Sequence, residues 1–570
     1  MRSQTRAKAV ALFVLVAVVG CGPAARAPGA SESQPAQQPS PQDMRPLNIV
    51  LRVEPFDITD SGSSRNNIGR ALFGANLVHF DGNEAPYGVL AEAVPQLNTD
   101  SWRVLPDGKM ETVFRLKSGL TWHDGAPFTA QDLVFARRVN LTRVEWGLAI
   151  NASPEDNLTE EITAPDDRTV VFRWKQPYFD AAAPSLRPVP RHILGPILDQ
   201  GIPDLLGSHA YWTTEHVGAG PYRMTRWEPG AYIDAMAFPG YALGKPKIER
   251  VRLTWSGDPN ATLARLLAGD ADVALDQAIQ FEQAATLRRE WAARNGGSVV
   301  LTVSQTRQLQ AQHRAEFANP AIVLDARFRR ATAHALDRQA LADALLQGEG
   351  EASETIAPRR VSYHDEIERT VPKYPYDLRQ SDQIMAGLGF TKGADGMYAG
   401  PGGRLSSEVL GIAEGQEGQE TTIIVDYLRR AGFDTQLRLV PSALINNSDE
   451  MKATFPALRT NYSSANRSLG AERLLGSRAA SPENRWGGTN KTGWNHPEHD
   501  RLYDTWTRSL DRDERTRAIV QIVRIQNEEL PYIPLYFNTE IVAHVASLRG
   551  PYSAAIETTP HENVHHWERS

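Results

Sequence analysis

Cys21 is the single cysteine of this 570-residue chain, and its neighbours give it a chemistry. Arg2, Arg6 and Lys8 precede an apolar run from Ala9 to Val19, and Val18-Val19-Gly20-Cys21 ends that run in small residues and a thiol. This is the layout of a secretory leader whose cleavage exposes a cysteine sulfur for lipid attachment. The run is too short for a membrane span, which takes roughly 20 residues. The expectation is a mature protein that begins at Cys21, is lipid-anchored to the cell membrane and folds outside the cytoplasm. A buried structural thiol is the alternative. Gly22, rather than an aspartate, follows the cysteine, which favours the outer membrane in a two-membrane cell.

Other residue types that could do chemistry lack the partners they need. No Gly-x-Ser-x-Gly elbow and no His-Glu-x-x-His helix occur. Lys491-Thr492-Gly493 matches one penicillin-recognition motif, but no Ser-x-x-Lys supplies its nucleophile. His561, His565 and His566 could ligate a metal only with a fourth partner in fixed geometry, and they read as a solvated tail. Glu160-Glu161 and Asp166-Asp167 read as solvated turns. No phosphate-binding Gly-rich loop ending in Lys-Ser/Thr is present. The formal net charge is −7, and loss of Arg2, Arg6 and Lys8 with the leader takes it to −10. With no basic run to track a phosphate backbone, nucleic acid is not expected as a partner. The expectation is a non-enzyme with no cofactor and no metal.

One cysteine allows no internal disulfide, so the fold must rest on a large apolar core. Residues 22–43 are rich in Pro, Ala, Ser and Gln and read as a flexible tether. From Leu47 on, short strands alternate with amphipathic helices. Leu47–Val53, Thr112–Leu116, Thr169–Trp174 and Tyr532–Phe537 read as strands. Thr129 with Asp132 three residues on predicts a helix N-terminus. Apolar periodicity predicts helices over Asn260–Ala268, Asp325–Leu346 and Asp500–Leu530. Mixed alternation over this length, without repeats or a second linker, argues an α/β or α+β chain with more than one lobe.

Several ordered blocks resemble a known family. Phe114-Arg115-Leu116-Lys117-Ser118-Gly119-Leu120-Thr121-Trp122-His123-Asp124-Gly125-Ala126-Pro127-Phe128-Thr129-Ala130-Gln131-Asp132-Leu133-Val134-Phe135 is the most specific. Gly88–Glu92 precedes it. Val217-Gly218-Ala219-Gly220-Pro221-Tyr222, Trp227–Gly230, Leu267–Ala274, Asp325–Arg338 and Pro531–Tyr536 follow in order. The chain resembles the family 5 extracytoplasmic solute-binding proteins of ABC importers, the dipeptide-, oligopeptide- and nickel-binding group. Most of these motif residues read as structural: Gly125 supplies a turn angle, and Gly218 and Gly220 allow a close approach.

The resemblance implies an α/β, two-lobed periplasmic-binding-protein fold (type II, cluster C) with an inserted subdomain and a hinge. After a signal peptide (1–20) and a lipidated linker (21–45), lobe I would comprise 46–82, 208–310 and 535–570. The subdomain would be 83–207 and lobe II 311–534. It implies a monomer that captures a peptide or peptide-like polar solute between its lobes and delivers it to a membrane permease. A non-peptide solute (opine, oligosaccharide, metal chelate) and a signalling or adhesion role without transport are the alternatives. Peptide-binding relatives hold the ligand amine with an aspartate after a lobe II strand. The corresponding stretch, Leu458–Arg467, has no acid, so Asn461, Tyr462, Ser463 and Arg467 become candidates for a ligand presenting oxygens or a carboxylate. Alternation puts Gln308, Gln310, Gln312 and Arg314 on one face, as a polar cleft wall or as an exposed edge strand. Asp276, just past Asp272-Val273-Ala274, is a candidate acid in the cleft.

Overall fold

The computed structural model describes residues 45–58, 67–82, 84–148, 154–551 and 559–570; Cys21 and its leader lie outside them. A single twisted sheet runs through the molecule. Its strands are β1 (Leu47–Leu51), β2 (Tyr222–Glu228), β3 (Tyr232–Ala237), β4 (Arg250–Trp255), β5 (Val273–Ala274), β6 (Gly297–Ala311), β7 (Ser406–Ile412), β8 (Asp434–Val440), β9 (Leu458–Ser464) and β10 (Tyr532–Val545). The order across the sheet is β8-β7-β9-β6-β10-β5-β1-β4-β3-β2, and a short eleventh strand, Glu351–Ala352, pairs with β10 off this path. β6 and β10, 15 and 14 residues long, pair antiparallel along almost their whole length. One half of the sheet hangs on one end of this pair, the other half on the other end.

Separate apolar cores sit on the two halves. Ile49, Leu253, Val273, Val542 and Trp567 pack on the β1 side. Phe328, Leu341, Ile424, Leu458 and Ile533 pack on the β9 side. A third core, with Phe114, Trp122, Leu133, Phe172 and Trp174, belongs to a four-stranded sheet formed by Trp102–Val104, Met110–Arg115, Thr169–Trp174 and Thr159–Asp166. Fully burying such a side chain is worth roughly 1.5–3 kcal/mol. Among the described residues no helix is long and apolar enough to cross a membrane.

Local sequence accounts for the helix ends. Helix α1 (Ala130–Glu145) opens with Thr129 N–H donating to Asp132 Oδ2 at 2.9 Å, the predicted capping box. The helical period over 325–346 is split into Ala326–His334 and Arg338–Leu346, because Asp337 caps the amide of Ala340 at 3.0 Å and starts a new helix. The period over 500–530 is split likewise, giving α3 (Pro497–Arg508) and α4 (Arg512–Glu529) with Asp511 capping Glu514 at 2.7 Å. Helix α2 (Gly415–Arg430) follows β7.

The two most specific sequence blocks clasp each other. His123 N–H donates to Gly218 O at 2.9 Å, and Gly218 N–H donates to His123 Nδ1 at 3.2 Å. Nε2 must then carry the proton, which it gives to Gly220 O at 3.0 Å. Burial lowers the His123 pKa to about 4, so the ring stays neutral. A Cβ at Gly220 would lie 2.5 Å from the Phe73 carbonyl carbon, and Gly125 stands at φ +91°. These residues tie the third core to the large sheet.

The segment holding the C-terminal histidines is not a solvated tail, although His566 itself is exposed. His561 is wholly buried and His565 nearly so. The His565 ring packs edge-on to Tyr241 at 5.5 Å. The apolar anchors Val564 and Trp567 on either side pull the segment into the β1-side core.

Candidate functional site

Strand direction locates the site. β1, β4 and β5 are parallel, so their carboxyl ends share one edge, followed by Arg52, Ser256 and Leu275–Asp276. β10 runs antiparallel to β5 and brings Ile541 and Glu540 to that edge. In the other half β7 and β9 are parallel and end at Ile412 and Ser464. There Gln305 of β6 stands between Ser464 of β9 and Asn538 of β10. The carboxyl edges of both halves therefore meet the β6–β10 pair within a few residues of each other, at Leu301–Gln305 and Asn538–Ile541. Sheets of this kind take ligands beyond their carboxyl edges.

On the β1 side the chemistry is acidic. Asp276 adopts φ +49° and is followed by Gln277 at +60°. The Asp276 amide donates to the Glu540 carboxylate. Asp276 Oδ2 has no hydrogen-bond partner. Burial, and then the charge of Glu540, push the Asp276 carboxyl well up. Burial raises Glu540 to about 7.

On the β9 side a hydrogen-bonded chain leads from the edge inward. Gln416, at the start of α2, donates to Tyr536 Oη at 3.0 Å and to Asn538 Oδ1 at 3.3 Å. Asn538 donates to Gln305 Oε1 at 3.4 Å. Tyr536 Oη donates to Glu420 Oε2 at 2.5 Å. Arg307 holds Glu420 with two bonds and reaches Glu417 Oε1 at 3.0 Å. On the β9 side the Glu417 and Glu420 carboxylates hold the Arg307 guanidinium, while on the β1 side Asp276 and Glu540 stand beside each other.

The residues expected from sequence fall into separate groups. Gln308 donates to Ser463 Oγ at 3.1 Å, and Asn461 stands opposite Gln308 in register. Tyr462 lies beside Arg307, 5.7 Å from ring centre to guanidinium carbon. Gln310 accepts from Arg459 at 3.4 Å. β6 lies between β9 and β10, so the reading of the glutamine run as an exposed edge strand is overturned. Gln312 is fully buried; its amide nitrogen donates to the carbonyls of Ala453 and Phe455, and its oxygen accepts from the amides of His313 and Arg314. Arg314 donates to the carbonyls of Lys491 and Ala480 at 2.8 and 2.6 Å. These two side chains are spent on holding backbone together. Arg467 faces a carboxylate of the chain itself, Asp180 at 3.2 Å, and lies over the Phe80 ring at 5.0 Å. Asp276 stands apart from all of them, beside Glu540.

Glu540, Gln416, Glu417, Glu420 and Asn538 are site residues that the sequence reading missed. The Glu417–Glu420 spacing at the start of a helix was a usable signal, since such residues share a face. Glu540 carried none, being one acid in an apolar strand. Two surface hollows are also present, of about 120 Å³ near Glu354, Lys373 and Phe537 and of about 350 Å³ near His123 and Arg223.

Comparison with known proteins agrees with this geometry. The sequence model for bacterial extracellular solute-binding proteins, family 5 Middle, matches residues 92–470. The oligopeptide-binding protein AppA of Bacillus subtilis is 25% identical over 471 residues, 81% of this chain and 80% of AppA. Among solved structures, NikZ of Campylobacter jejuni in complex with Ni(L-His) superposes with a TM-score of 0.74 at 19% identity, covering 93% of this chain and all of NikZ. The oligopeptide-binding protein of Thermus thermophilus with a pentapeptide gives 0.73 at 20% identity, covering 93% and 97%. These structures share the two-lobed α/β fold. The chain belongs to family 5 of the bacterial extracellular solute-binding proteins.

Proposed function

We propose that this protein is the extracytoplasmic receptor of an ABC importer, taking a peptide or peptide-like polar solute between its lobes and passing it to a membrane permease. The observation that carries the reading is the convergence of two sets of strand carboxyl ends on the β6–β10 pair, where both halves can touch one ligand. The named peptide specificity of AppA and of the Thermus protein supports the solute class. In this reading β6 and β10 are the hinge. Lobe I is 46–82, 208–310 and 535–570, lobe II is 311–534, and 83–207 is the inserted subdomain. Closure is stabilised by contacts the solute makes with both lobes. No bond of the solute is broken by this protein, which acts as a monomer held to the membrane by lipid on Cys21.

Native mass spectrometry of residues 22–570 from a secreting host, followed by calorimetry with a peptide panel, tests the reading. A retained peptide, or micromolar peptide binding, is the expected result. A retained opine, oligosaccharide or metal chelate, with indifference to peptides, would move the assignment to that solute. Radiolabelled fatty acid should enter the full chain and not its Cys21→Ser variant.

A further inference from the structure

Glu540 stands on β10 opposite Thr302, and the turn after β5 folds Asp276 back onto it. Two successive non-glycine residues with left-handed φ, Asp276 and Gln277, make that turn, a conformation that surrounding structure must enforce. Its result is to set two carboxyl groups side by side. Both acids lack an ion-pair partner among the described residues, and Asp276 Oδ2 is closed off from solvent with no donor to it. Among the described residues Arg52 also reaches the turn, where it donates to Gln277 Oε1 at 3.3 Å. Paired carboxylates without a cation repel each other, and a sealed oxygen without a donor is costly. A cation carrying N–H donors would remove both penalties. A divalent metal would want more ligands than two, and no set of three His, Cys, Asp or Glu able to hold one occurs among the described residues.

We propose that Asp276 and Glu540 form a subsite for an ammonium or guanidinium group of the solute, so that the cleft selects solutes carrying a free amine or a basic side chain at that point. The inference rests on the reading of the strand edges as the solute cleft. It also replaces the candidate anion subsite at Arg467, whose facing carboxylate is Asp180. Since burial holds Glu540 near pH 7 in its half-titrated state, binding of a cation drives a proton off the pair.

The test is calorimetry with Ala-Lys-Ala, its Nε-acetyl form and its N-terminally acetylated form, each in two buffers of different ionisation enthalpy at pH 6.5. In the wild type, neutralising the group that occupies the subsite should weaken binding about tenfold or more, and binding of the charged form should release protons. In Asp276→Asn and Glu540→Gln the charged-to-neutral ratio should fall to within about twofold, with the proton release reduced. Asparagine tolerates a left-handed angle and glutamine keeps the shape of glutamate, so thermal melts should confirm that both variants fold. Equal binding of charged and neutral probes by the wild type, or an unchanged ratio in the variants, overturns the subsite. If the wild type binds no peptide, it is the peptide reading that has failed. The subsite is then read by thermal shift with spermidine and arginine methyl ester against succinate. Stabilisation by the cations in the wild type but not in the variants upholds it, and stabilisation in neither overturns it.

Discussion

Arg307 and Glu420 close a two-pronged ion pair beneath the cleft: Nε to Oε2 at 2.7 Å and Nη2 to Oε1 at 2.9 Å, with 3% and 0% of the side chains exposed. Arg307 sits on the long strand β6, Glu420 one turn into α2, and Tyr536 of β10 adds a third bond to the same carboxylate. The pair therefore fastens the helix that carries Gln416 and Glu417 to both crossing strands. Removing one partner of a buried pair leaves a charge with nothing to answer it, at a cost of about 3–5 kcal/mol. Glu420→Ala, which leaves Arg307 only the part-exposed Glu417 carboxylate, should lower unfolding stability by up to about that amount. The double change Arg307→Met with Glu420→Leu, which leaves only the part-exposed Glu417 carboxylate without its partner, should cost clearly less. Urea unfolding followed by tryptophan fluorescence measures both; a double variant as unstable as the single one would contradict the argument.

Periodicity and punctuation carried most of the fold. The strand at Thr169–Trp174 and the α1 capping box are local properties, and they appear where local sequence put them. The long helical runs at 325–346 and 500–530 were legible as helix but not as pairs of helices, because apolar spacing continues across an aspartate that starts a new cap. The site was less legible. Asp276 was visible as an acid past a strand, but its partner Glu540 comes from a strand 264 positions away in the chain, and only sheet register unites them. Gln312 and Arg314 show the opposite error. Polar residues in a row suggest a ligand wall, yet buried backbone carbonyls at 453, 455, 480 and 491 need donors as much as any ligand does.

Phe179 bridges the third core and the α3–α4 pair. Its ring stands edge-on to Trp506 at 4.8 Å, Arg515 lies 4.9 Å above it, and its amide donates to Thr507 O at 3.2 Å. The neighbouring Asp180 pairs with Arg467. These contacts, with Arg467 over Phe80, join the two regions at their boundary, and they should weigh more on how the regions close together than on whether each folds. An aromatic pair contributes about 0.5–1.5 kcal/mol beyond its buried area. Phe179→Ala should therefore weaken solute binding by roughly threefold to tenfold and raise the radius of gyration without solute, while the thermal midpoint moves little. Small-angle scattering and calorimetry read the two effects, and an unchanged radius together with unchanged affinity would remove the latch.

His79 and Glu562 tie the C-terminal segment to the chain near residue 80, with Nε2 and Oε2 2.5 Å apart. Burial alone would lower the His79 pKa, but the Glu562 carboxylate outweighs it and leaves the ring above its ordinary 6.5. Burial alone would raise Glu562, but His79 outweighs it and the carboxyl drops from 4.5 to about 2. The signs follow from linkage. The histidine's contribution to stability is complete below pH 6.5 and is lost as pH rises through its folded value. The carboxylate's contribution is complete above pH 4.5 and is lost as pH falls towards 2. The pair therefore acts at full strength between about pH 4.5 and 6.5. His79→Gln should lower the thermal midpoint most in that window and progressively less as pH rises through the folded value of the wild-type ring. A midpoint difference that stays constant from pH 5 to 9 would show that His79 matters for packing and not for charge.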